Sequence, residues 1–403
     1  MKVLVLNAGS SSHKSYLYEL TGPLPPTPPT PLWQATIDWS GGGQLVAKAN
    51  QARQERHLTE AERPRAIAHL IATLTEGNTA VLENWQEIAI VGHRVVHGGA
   101  DYSQPTRIDA DVKATIRDLC TLAPAHNPVN LAGIEAIEQL LGDVPQLAVF
   151  DTAFHQQMPA AARTYPLPYE WVERGIRRYG FHGISHEYCS QRAAQLLDKP
   201  LDSLRLITCH LGNGCSLAAV QEGHSIDTTM GFTPLEGLMM GSRSGSIDPA
   251  IALYLQRQHD FTPDQVDRLL NKESGLKGIA GGDGDLRAVL AGREQGDERA
   301  QLAFAMYVHS LRRQIGAMLG VLGGLEALVF AGGIGENSPD VRAAACGALE
   351  FLGLRLDAAA NQDRPRDRDI ALPDSTVRVL VIATAEDWAI AQACHRYWQA
   401  ELA

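Results

Sequence analysis

Short apolar runs, turn-forming residues and longer segments with helical spacing follow one another along most of this chain. The first apolar run, residues 3–6, stops at Asn-Ala-Gly-Ser-Ser-Ser, and a second extended-looking run follows, which predicts two strands joined by a polar turn. Apolar residues recur at helical spacing over residues 60–74 and 109–122, which predicts helices there. Because predicted strands alternate with predicted helices, the pattern indicates an α/β fold.

Later segments repeat the combination of an apolar strand and a glycine-rich or acidic ending. "IAIVGHRVVHGG" predicts a strand and a Gly-rich turn, "QLAVFDTAFH" a strand that ends in an acid, and "LRLITCHLGNGCSLAAV" a strand, a turn and a strand. "ALVFAGGIGENS" predicts a strand, a Gly-rich turn and a helix start, and "VRVLVIATAEDWAIAQACHRYW" predicts a strand, a short loop and a C-terminal helix. The proline-rich residues 21–33 exclude a helix and favour an extended surface loop.

Two distant segments share one layout. "LVLNAGSSSHKSYLYE", near the start, and "ITCHLGNGCSLAAVQE", about half the chain later, each place an apolar strand before a turn of small polar residues and a second strand. The repetition indicates two related domains, each of which presents one such turn to a cleft between them.

The composition is that of a soluble globular protein. The chain has 403 residues, of which 45% are hydrophobic and 20% are charged, and this length predicts two or three domains. The net charge of −11 argues against nucleic-acid binding, which needs a basic face, whereas a small anion can still bind in a locally positive pocket. We expect neither a membrane span nor a signal peptide. Six cysteines without Cys-x-x-Cys spacing predict reduced thiols in a cytoplasmic protein.

Three Gly-rich segments follow apolar strands, at residues 8–12, 212–216 and 332–337. Glycine lets backbone N–H groups converge on a phosphate, and hydroxyl groups add further donors. The chain contains no G-x-x-x-x-G-K-[ST] sequence and no G-x-G-x-x-G after its first strand, which disfavours a Walker-type site and a Rossmann dinucleotide site. Three such turns in one chain therefore predict a nucleotide site of another kind.

Arginines and histidines recur beside glycine in predicted loops. Arg94 lies in "GHRVVHGG", His126 precedes Asn-Pro, His182 and His186 lie in "RRYGFHGISH", and Arg243 lies among small residues in "MMGSRSGSIDP". A single residue of this kind is usually a surface or core group. Their repetition in glycine-rich loops predicts a site for an anionic ligand.

These motifs together resemble the acetate kinase family, within the superfamily that includes sugar kinases, Hsp70 and actin. The matching stretches are NAGSSSHK, HRVVHGG, LAPAHNP, FDTAFH, RRYGFHGISH, HLGNGCS, DTTMGFTPLEGLMMGSRSG, NKESGLKGI and AGGIGENS. The resemblance implies two related actin- and Hsp70-like (ribonuclease H-like) α/β domains with a cleft between them. We expect residues 1–152 and 388–403 to form the first domain and residues 153–387 to form the second.

Members of this family transfer the γ-phosphoryl group of ATP reversibly to a short carboxylate, which gives an acyl phosphate and ADP. A carboxylate is already ionised at neutral pH, so the reaction needs positive charge and positioning rather than a general base. By resemblance, the catalytic residues are Arg94, His126, Asp151, His182 and Arg243. By resemblance, the residues that bind the carboxylate substrate are Arg94, Val96, Phe181 and Pro234.

The resemblance also implies a nucleotide site, a metal and a quaternary structure. The implied nucleotide-binding residues are Ser10, Ser12, Lys14, His210, Gly212, Asn213, Gly214, Asp285, Leu286, Arg287, Gly333, Ile334, Gly335 and Asn337. Mg²⁺, which Mn²⁺ can replace, is the implied metal, and Asn7 and Glu386 are the protein groups that place it. We expect a homodimer that uses ATP and a short-chain carboxylate and binds neither nucleic acid nor membrane.

Alternatives remain open for two residues and for the function. Glu386 can simply cap the last helix, and Asp151 can simply orient Arg94. The functional rival is a nucleotide-gated binding protein of the same fold, chaperone-like or filament-forming, which would not make an acyl phosphate.

This chain departs from the family pattern at a few positions. Ala125 stands where the family has leucine, which enlarges the acyl pocket and relaxes selectivity by about fourfold per added carbon. A propionate or butyrate kinase is therefore the alternative enzyme. Asp283, Gly284 and Leu286 depart from the family at the adenosine edge and leave the nucleotide preference open.

Overall fold

The computed structural model describes residues 1–9, 12–39, 41–363 and 365–402, and its internal contacts divide the chain into two compact units. Met1–Ala153 and Ala385–Ala403 form what we call the terminal unit, and Phe154–Thr384 form the middle unit. The first boundary therefore follows residue 153, where the sequence analysis expected 152. The return to the terminal unit comes at residue 385, where the sequence analysis expected 388.

Two sheets contain the strands. In the terminal unit the strands are β1 (Lys2–Ala8), β2 (Ser12–Glu19), β3 (Trp33–Asp38), β4 (Gln44–Ala49), β5 (Ala52–His57), β6 (Ile88–Val95), β7 (Thr106–Arg107) and β8 (Gln146–Phe150). In the middle unit they are β9 (Arg205–Leu211), β10 (Cys215–Gln221), β11 (His224–Thr228), β12 (Ala327–Ala331), β13 (Arg368–Asp369) and β14 (Arg378–Val381).

The α-helices surround these sheets. They are α1 (Ala66–Ala72), α2 (Ala110–Asp118), α3 (Asn127–Leu141), α4 (Ala160–Arg163), α5 (Glu170–Glu173), α6 (Gly183–Leu197), α7 (Ala250–His259), α8 (Pro263–Lys272), α9 (Gly275–Ala280), α10 (Leu286–Glu294), α11 (Glu298–Leu322), α12 (Gly332–Asn337), α13 (Pro339–Gly347), α14 (Ala358–Gln362) and α15 (Glu386–Leu402). No helix in the described ranges combines the length and apolar character that crossing a bilayer requires.

The sheet of the terminal unit has the order β5-β4-β3-β2-β1-β6-β8-β7. Strands β1, β6 and β8 are parallel neighbours, whereas β1 to β5 form an antiparallel meander. Helices α3 and α15 both contact β1 and β6, and residues 3–6 of β1 are all buried. A continuous apolar run, rather than an alternating one, is what a strand covered by helices requires.

The sheet of the middle unit has the order β11-β10-β9-β12-β14-β13. Strand β9 pairs with β10 in antiparallel orientation and with β12 in parallel orientation. Strand β1 has the same two kinds of neighbour, β2 and β6, in the terminal unit. The two segments with a shared sequence layout therefore occupy equivalent places in the two sheets, and the α/β prediction is confirmed.

Local details differ from the sequence expectation in two places. Residues 332–337 are not a turn before a helix but are themselves helix α12, which begins directly after β12. Gly332 makes this possible because its φ is +76° and a Cβ there would lie 2.7 Å from the carbonyl oxygen of Leu211. The predicted helix at residues 60–74 begins as a 3-10 helix, Glu60–Arg65, which contains Pro64, and continues as α1.

Close packing of α15 on β6 depends on the absence of a side chain at Gly92. A Cβ there would lie 2.5 Å from Cγ2 of Ile390 and 2.6 Å from Sγ of Cys394. We expect Gly92→Ala to lower the free energy of unfolding by about 1–3 kcal/mol, because the helix must shift to accept the methyl group. Urea denaturation measures the change. Gly41→Ala is the matched control, because its nearest neighbour lies 4.0 Å away, and an equal loss in both variants would contradict the packing argument.

Candidate active site

Four polar side chains meet at one edge of the sheet in the terminal unit. Asn7 is near the end of β1, Arg94 is near the end of β6, Asp151 follows β8 directly, and Glu386 begins α15. Because parallel strands end at the same edge of a sheet, residues distant in sequence are brought together there. We call Asn7, Arg94, Asp151 and Glu386 the terminal cluster.

An ion pair between Arg94 and Asp151 organises the terminal cluster. Nη2 of Arg94 donates to Oδ2 of Asp151 at 2.6 Å, and Nε donates to Oδ1 at 3.0 Å. Nη1 of Arg94 donates to Oδ1 of Asn7 at 3.2 Å, and Nδ2 of Asn7 donates to Oε2 of Glu386 at 3.2 Å. Asp151 therefore makes the contact by which it can orient Arg94, and its catalytic role stays a prediction.

The charges in this cluster keep Arg94 protonated. Burial on its own would lower the pKa of Arg94, but the carboxylates of Asp151 and Glu386 raise it above its ordinary value. The Asp151 side chain is 1% exposed and that of Arg94 is 18% exposed. A bidentate pair at this depth holds the guanidinium plane in one orientation.

Oxygen atoms suited to a hard cation are present in the terminal cluster. Asn7 offers an amide oxygen, and Glu386 and Asp151 offer carboxylates. Across the described ranges no group of three or more His, Cys, Asp or Glu residues is placed to hold a metal ion. This donor set fits Mg²⁺, which takes oxygen ligands and keeps several of its waters, rather than a metal that needs a complete protein cage.

Two buried asparagines that sequence reasoning missed hold the segment after Arg94. Asn130 accepts from the N–H of Val96 at 3.1 Å and donates to the carbonyl of Ala8 at 2.7 Å. Asn127 exchanges two hydrogen bonds of 3.1 Å with the backbone of His97. The sequence offered only a weak signal, which is that two asparagines lie among apolar residues and that amides buried there need hydrogen-bond partners.

His126 and Val96 lie in the terminal unit beside these anchors. His126 directly precedes α3, its N–H donates to the carbonyl of Ala123, and its carbonyl accepts from Asn130. Val96 is 4% exposed, whereas Ala125 is exposed. The structure therefore brings the backbone around His126 and Val96 together through Asn130.

The middle unit contains a second polar group, which we call the middle cluster: His155, His182, His186, His210 and Arg243. The ring of His182 stacks on that of His210, with centroids 4.2 Å apart. Nδ1 of His182 lies 2.8 Å from Oγ of Ser216. His182 directly precedes α6 and has a left-handed backbone conformation, with a φ of +56°.

Arg243 lies beside His182 across the Gly-rich turn between β9 and β10. A Cβ added to Gly214 would lie 3.4 Å from Nη1 of Arg243 and 3.5 Å from Cε1 of His182. Nη1 of Arg243 donates to the carbonyl of Pro234 at 3.1 Å, and within the described residues Arg243 forms no ion pair. Burial lowers the pKa of Arg243. A partly buried cation without a carboxylate partner is suited to an anionic ligand.

The other predicted substrate and nucleotide residues are distributed over both units. Phe181 is buried directly before His182, and the carbonyl oxygen of Pro234 accepts the hydrogen bond from Arg243. In the terminal unit, Ser12 begins β2 and Lys14 is exposed on it, opposite Asn7 in the pairing register. Ser10 lies outside the described residues.

The remaining predicted nucleotide residues lie in the middle unit on loops and helix starts. His210 lies near the end of β9, next to the turn that holds Gly212, Asn213 and Gly214. Its Nδ1 lies 2.7 Å from Oγ of Ser185. Asp285 caps α10 and pairs with the exposed Arg287, whereas Leu286 is 5% exposed. In α12, Gly333 and Asn337 are exposed, Ile334 is half-buried and Gly335 is buried.

Buried histidines make the stability of the middle unit sensitive to acid. Burial lowers the pKa of His155 to about 4, and Nε2 of His155 lies 3.1 Å from the carbonyl oxygen of Phe181. Below about pH 6.5 the unfolded chain binds a proton at this residue that the folded chain does not bind, so stability falls between about pH 6.5 and pH 4.

We expect this histidine to contribute a slope of about 1.4 kcal/mol per pH unit in that window and none above it. Urea denaturation at pH 7, 6 and 5 measures the slope, and His155→Gln should reduce it by that amount. An unchanged slope in the variant would show that other groups cause the acid sensitivity.

Known proteins resemble this chain along nearly its whole length. Residues 2–392 match the model of the acetokinase family. The acetate kinases of Gloeothece citriformis and Rippkaea orientalis are 61% and 60% identical to this chain over 398 residues, which is 98% of each chain. The crystal structure of Porphyromonas gingivalis acetate kinase has a TM-score of 0.87 at 39% identity, with 97% of this chain and 98% of that chain covered. A propionate kinase from Francisella tularensis has a TM-score of 0.88 at 38% identity, with the same coverage. The chain belongs to the acetokinase family.

Proposed function

We propose that this protein is an acetate kinase, which transfers the γ-phosphoryl group of ATP to acetate and forms acetyl phosphate and ADP in a reversible reaction. The observation that carries the proposal is Arg243, a partly buried cation without a carboxylate partner in the described residues, beside His182 at Gly214. The curated relatives with 56–61% identity are named acetate kinases, which supports acetate as the acceptor.

The reaction forms one bond and breaks one bond. A carboxylate oxygen of acetate attacks the γ-phosphorus in line, the bond between that phosphorus and the bridging oxygen breaks, and ADP leaves with the electron pair. No proton needs to be removed from acetate, because it is ionised at neutral pH. Catalysis therefore consists of neutralising charge and holding the two anions in position.

The middle cluster supplies donors to the transferring group in this proposal. Arg243 offers the guanidinium N–H groups that Pro234 does not use, and His182 offers its ring edge beside Gly214. Phosphoryl oxygens gain negative charge in the transition state, so fixed donors there lower the barrier. The Gly-rich turn leaves space for the phosphate chain.

The terminal cluster positions acetate and the metal in this proposal. Arg94, held by Asp151, contributes charge toward the acetate carboxylate, and His126 and Val96 belong to the same unit. Asn7 and Glu386 would hold Mg²⁺, or Mn²⁺ in its place. The cation supplies charge neutralisation for the ATP phosphates.

We also propose a homodimer in the cytoplasm. The middle unit exposes a set of large apolar side chains that a second copy would cover: Ile251, Leu253, Tyr254, Leu302 and Met306. Exposed apolar groups of this size are common at protein interfaces. The six cysteines form no disulfide in the structure, which agrees with a reducing compartment.

A hydroxamate assay for acyl phosphate, with ATP, Mg²⁺ and acetate, tests the function and the role of Arg243. We expect Arg243→Ala to lower kcat by about 10²–10³-fold, because the variant loses a cation that contacts the transferring group. Arg243→Lys should recover only part of this loss, since lysine lacks the planar pair of donors.

Arg268→Ala is the matched control, because Arg268 is a largely exposed arginine of the same unit and pairs only with Glu273 among the described residues. It should leave kcat unchanged. Wild-type protein that binds ATP but forms no acyl phosphate with any short carboxylate would overturn the proposed function and favour a nucleotide-gated binding protein.

Acyl-chain selectivity tests the contribution of Ala125. We expect the wild type to prefer acetate to propionate by less than about a hundredfold in kcat/KM, and Ala125→Leu to raise that preference by about fourfold, because the added side chain refills the acyl pocket. Ala125 is exposed, so the larger side chain should not disturb the core.

Ala110→Leu, at an exposed alanine of the same unit, should not change the ratio. An acetate preference of a hundredfold or more in the wild type, or an unchanged ratio in Ala125→Leu, would contradict the role of Ala125. A higher kcat/KM with propionate or butyrate than with acetate would instead identify a kinase for longer acids.

A further inference from the structure

A continuous chain of hydrogen bonds leads from the middle-unit core to His182. Oγ1 of Thr208 lies 2.7 Å from Nδ1 of His186, and Nε2 of His186 lies 2.7 Å from Oγ of Ser216. The same Ser216 oxygen lies 2.8 Å from Nδ1 of His182. Thr208, His186 and Ser216 are each at most 1% exposed, so these groups depend on one another for hydrogen bonding.

The direction of this chain follows from counting protons. The pKa of His186 is lowered well below its ordinary value by burial and by neighbouring His155 and His210, so its ring is neutral and has one donor and one acceptor nitrogen. Among the described residues the only hydrogen-bond partner of Oγ1 of Thr208 is His186. The buried hydroxyl proton of Thr208 is therefore satisfied only if Thr208 donates to Nδ1 of His186.

The rest of the chain is then determined. With Nδ1 as the acceptor, His186 has its proton on Nε2 and donates it to Ser216. The single proton of the Ser216 hydroxyl is left to donate to Nδ1 of His182. His182 in its neutral form consequently carries its own proton on Nε2.

The Nε2 side of His182 borders the Gly-rich turn. A Cβ added to Gly214 would lie 3.6 Å from Nε2 of His182, close to the distance for Nη1 of Arg243. The titratable or charged groups that the structure shows near His182 include the stacked His210, His186 beyond Ser216, and Arg243. Arg243 is a cation at the same turn, so a neutral His182 that donates from Nε2 avoids a second positive charge beside it.

We propose that Thr208, His186 and Ser216 are positioning residues that fix neutral His182 in the Nε2–H tautomer, so that it donates a hydrogen bond to the transferring phosphoryl group without being protonated. The proposal rests on the proposed function for the identity of the acceptor. The tautomer itself is a property of the ligand-free protein and does not depend on that function.

Two-bond ¹H–¹⁵N correlation spectra of histidine-labelled protein at pH 8 measure the tautomer directly. His182 is assigned from the spectrum of His182→Gln. We expect a protonated Nε2 and an unprotonated Nδ1 in the wild type and in Thr208→Ser, which keeps the hydroxyl. Ser216→Ala and Thr208→Val should each add a population with the proton on Nδ1. Ser216→Ala removes the donor to that nitrogen, and Thr208→Val removes the hydroxyl group that fixes the direction of the hydrogen-bond chain.

Kinetics in the hydroxamate assay separate positioning from a merely structural role. Ser216→Ala should lower kcat by about fivefold at pH 8, the factor that one hydrogen bond is worth, with a smaller effect on KM for acetate. The kcat deficit of Ser216→Ala should be smaller at a pH at which the same spectra show the His182 ring to be protonated, since a protonated ring carries a proton on Nε2 in any case.

Three results would overturn the proposal: a wild-type His182 protonated on Nδ1, a tautomer unchanged by Ser216→Ala and Thr208→Val, or a kcat deficit of equal size at pH 8 and at a pH at which the spectra show His182 protonated on both nitrogens. The wild-type spectrum decides the first of these even if a variant does not fold. Absence of acyl phosphate from the wild-type protein would instead count against the proposed function and leave the tautomer measurement valid.

Discussion

A buried positive charge has to be balanced either by a carboxylate of the protein or by a ligand, and the arginines of the terminal cluster and of the middle cluster differ in this respect. Arg94 forms a bidentate ion pair with Asp151 and donates a further hydrogen bond to Asn7. Arg243 meets a backbone carbonyl and, in the part of the chain that the structure describes, no carboxylate. An added anion is therefore stabilised more by Arg243, whereas the ion pair with Asp151 holds Arg94 rigidly. For this reason we propose charge neutralisation for Arg243 and positioning for Arg94.

The fold explains how these groups come to be fixed. Strands β1, β6 and β8 are buried between helices, so polar side chains are tolerated mainly where the strands end. Asn7, Arg94 and Asp151 occupy those ends, and the amides of Asn127 and Asn130 hold the backbone that follows Arg94. The site is thus rigid because the core beside it is rigid, and Gly92 lets α15 approach closely enough to place Glu386 at the same edge.

Sequence patterns predicted the parts of this arrangement that depend on local chemistry. Apolar runs followed by glycine identified β1, β9 and β12, and the repeated layout identified two strand pairs with equivalent places in their sheets. Motif resemblance then named Arg94, His182 and Arg243. Contacts between helices and strands could not be predicted in this way, because nothing local in the sequence pairs Thr208 with His186 or Asn130 with Ala8. Similarly, the start of α12 at Gly332 depends on the approach of Leu211 from a neighbouring strand.

The two strand pairs share a topology but present opposite chemistry. At the terminal cluster the strand ends carry an amide and carboxylates around one arginine, which suits a cation and a positioned guanidinium. At the middle cluster the corresponding hairpin carries His210 and Ser216, and the loop next to it brings Arg243. The proposed phosphoryl transfer to a carboxylate would use both kinds of surface, because the proposed metal would need oxygen ligands and the transferring group would need hydrogen-bond donors. A single duplicated layout can meet both needs because the polar residues at strand ends are free to differ while the apolar strands that support them remain alike.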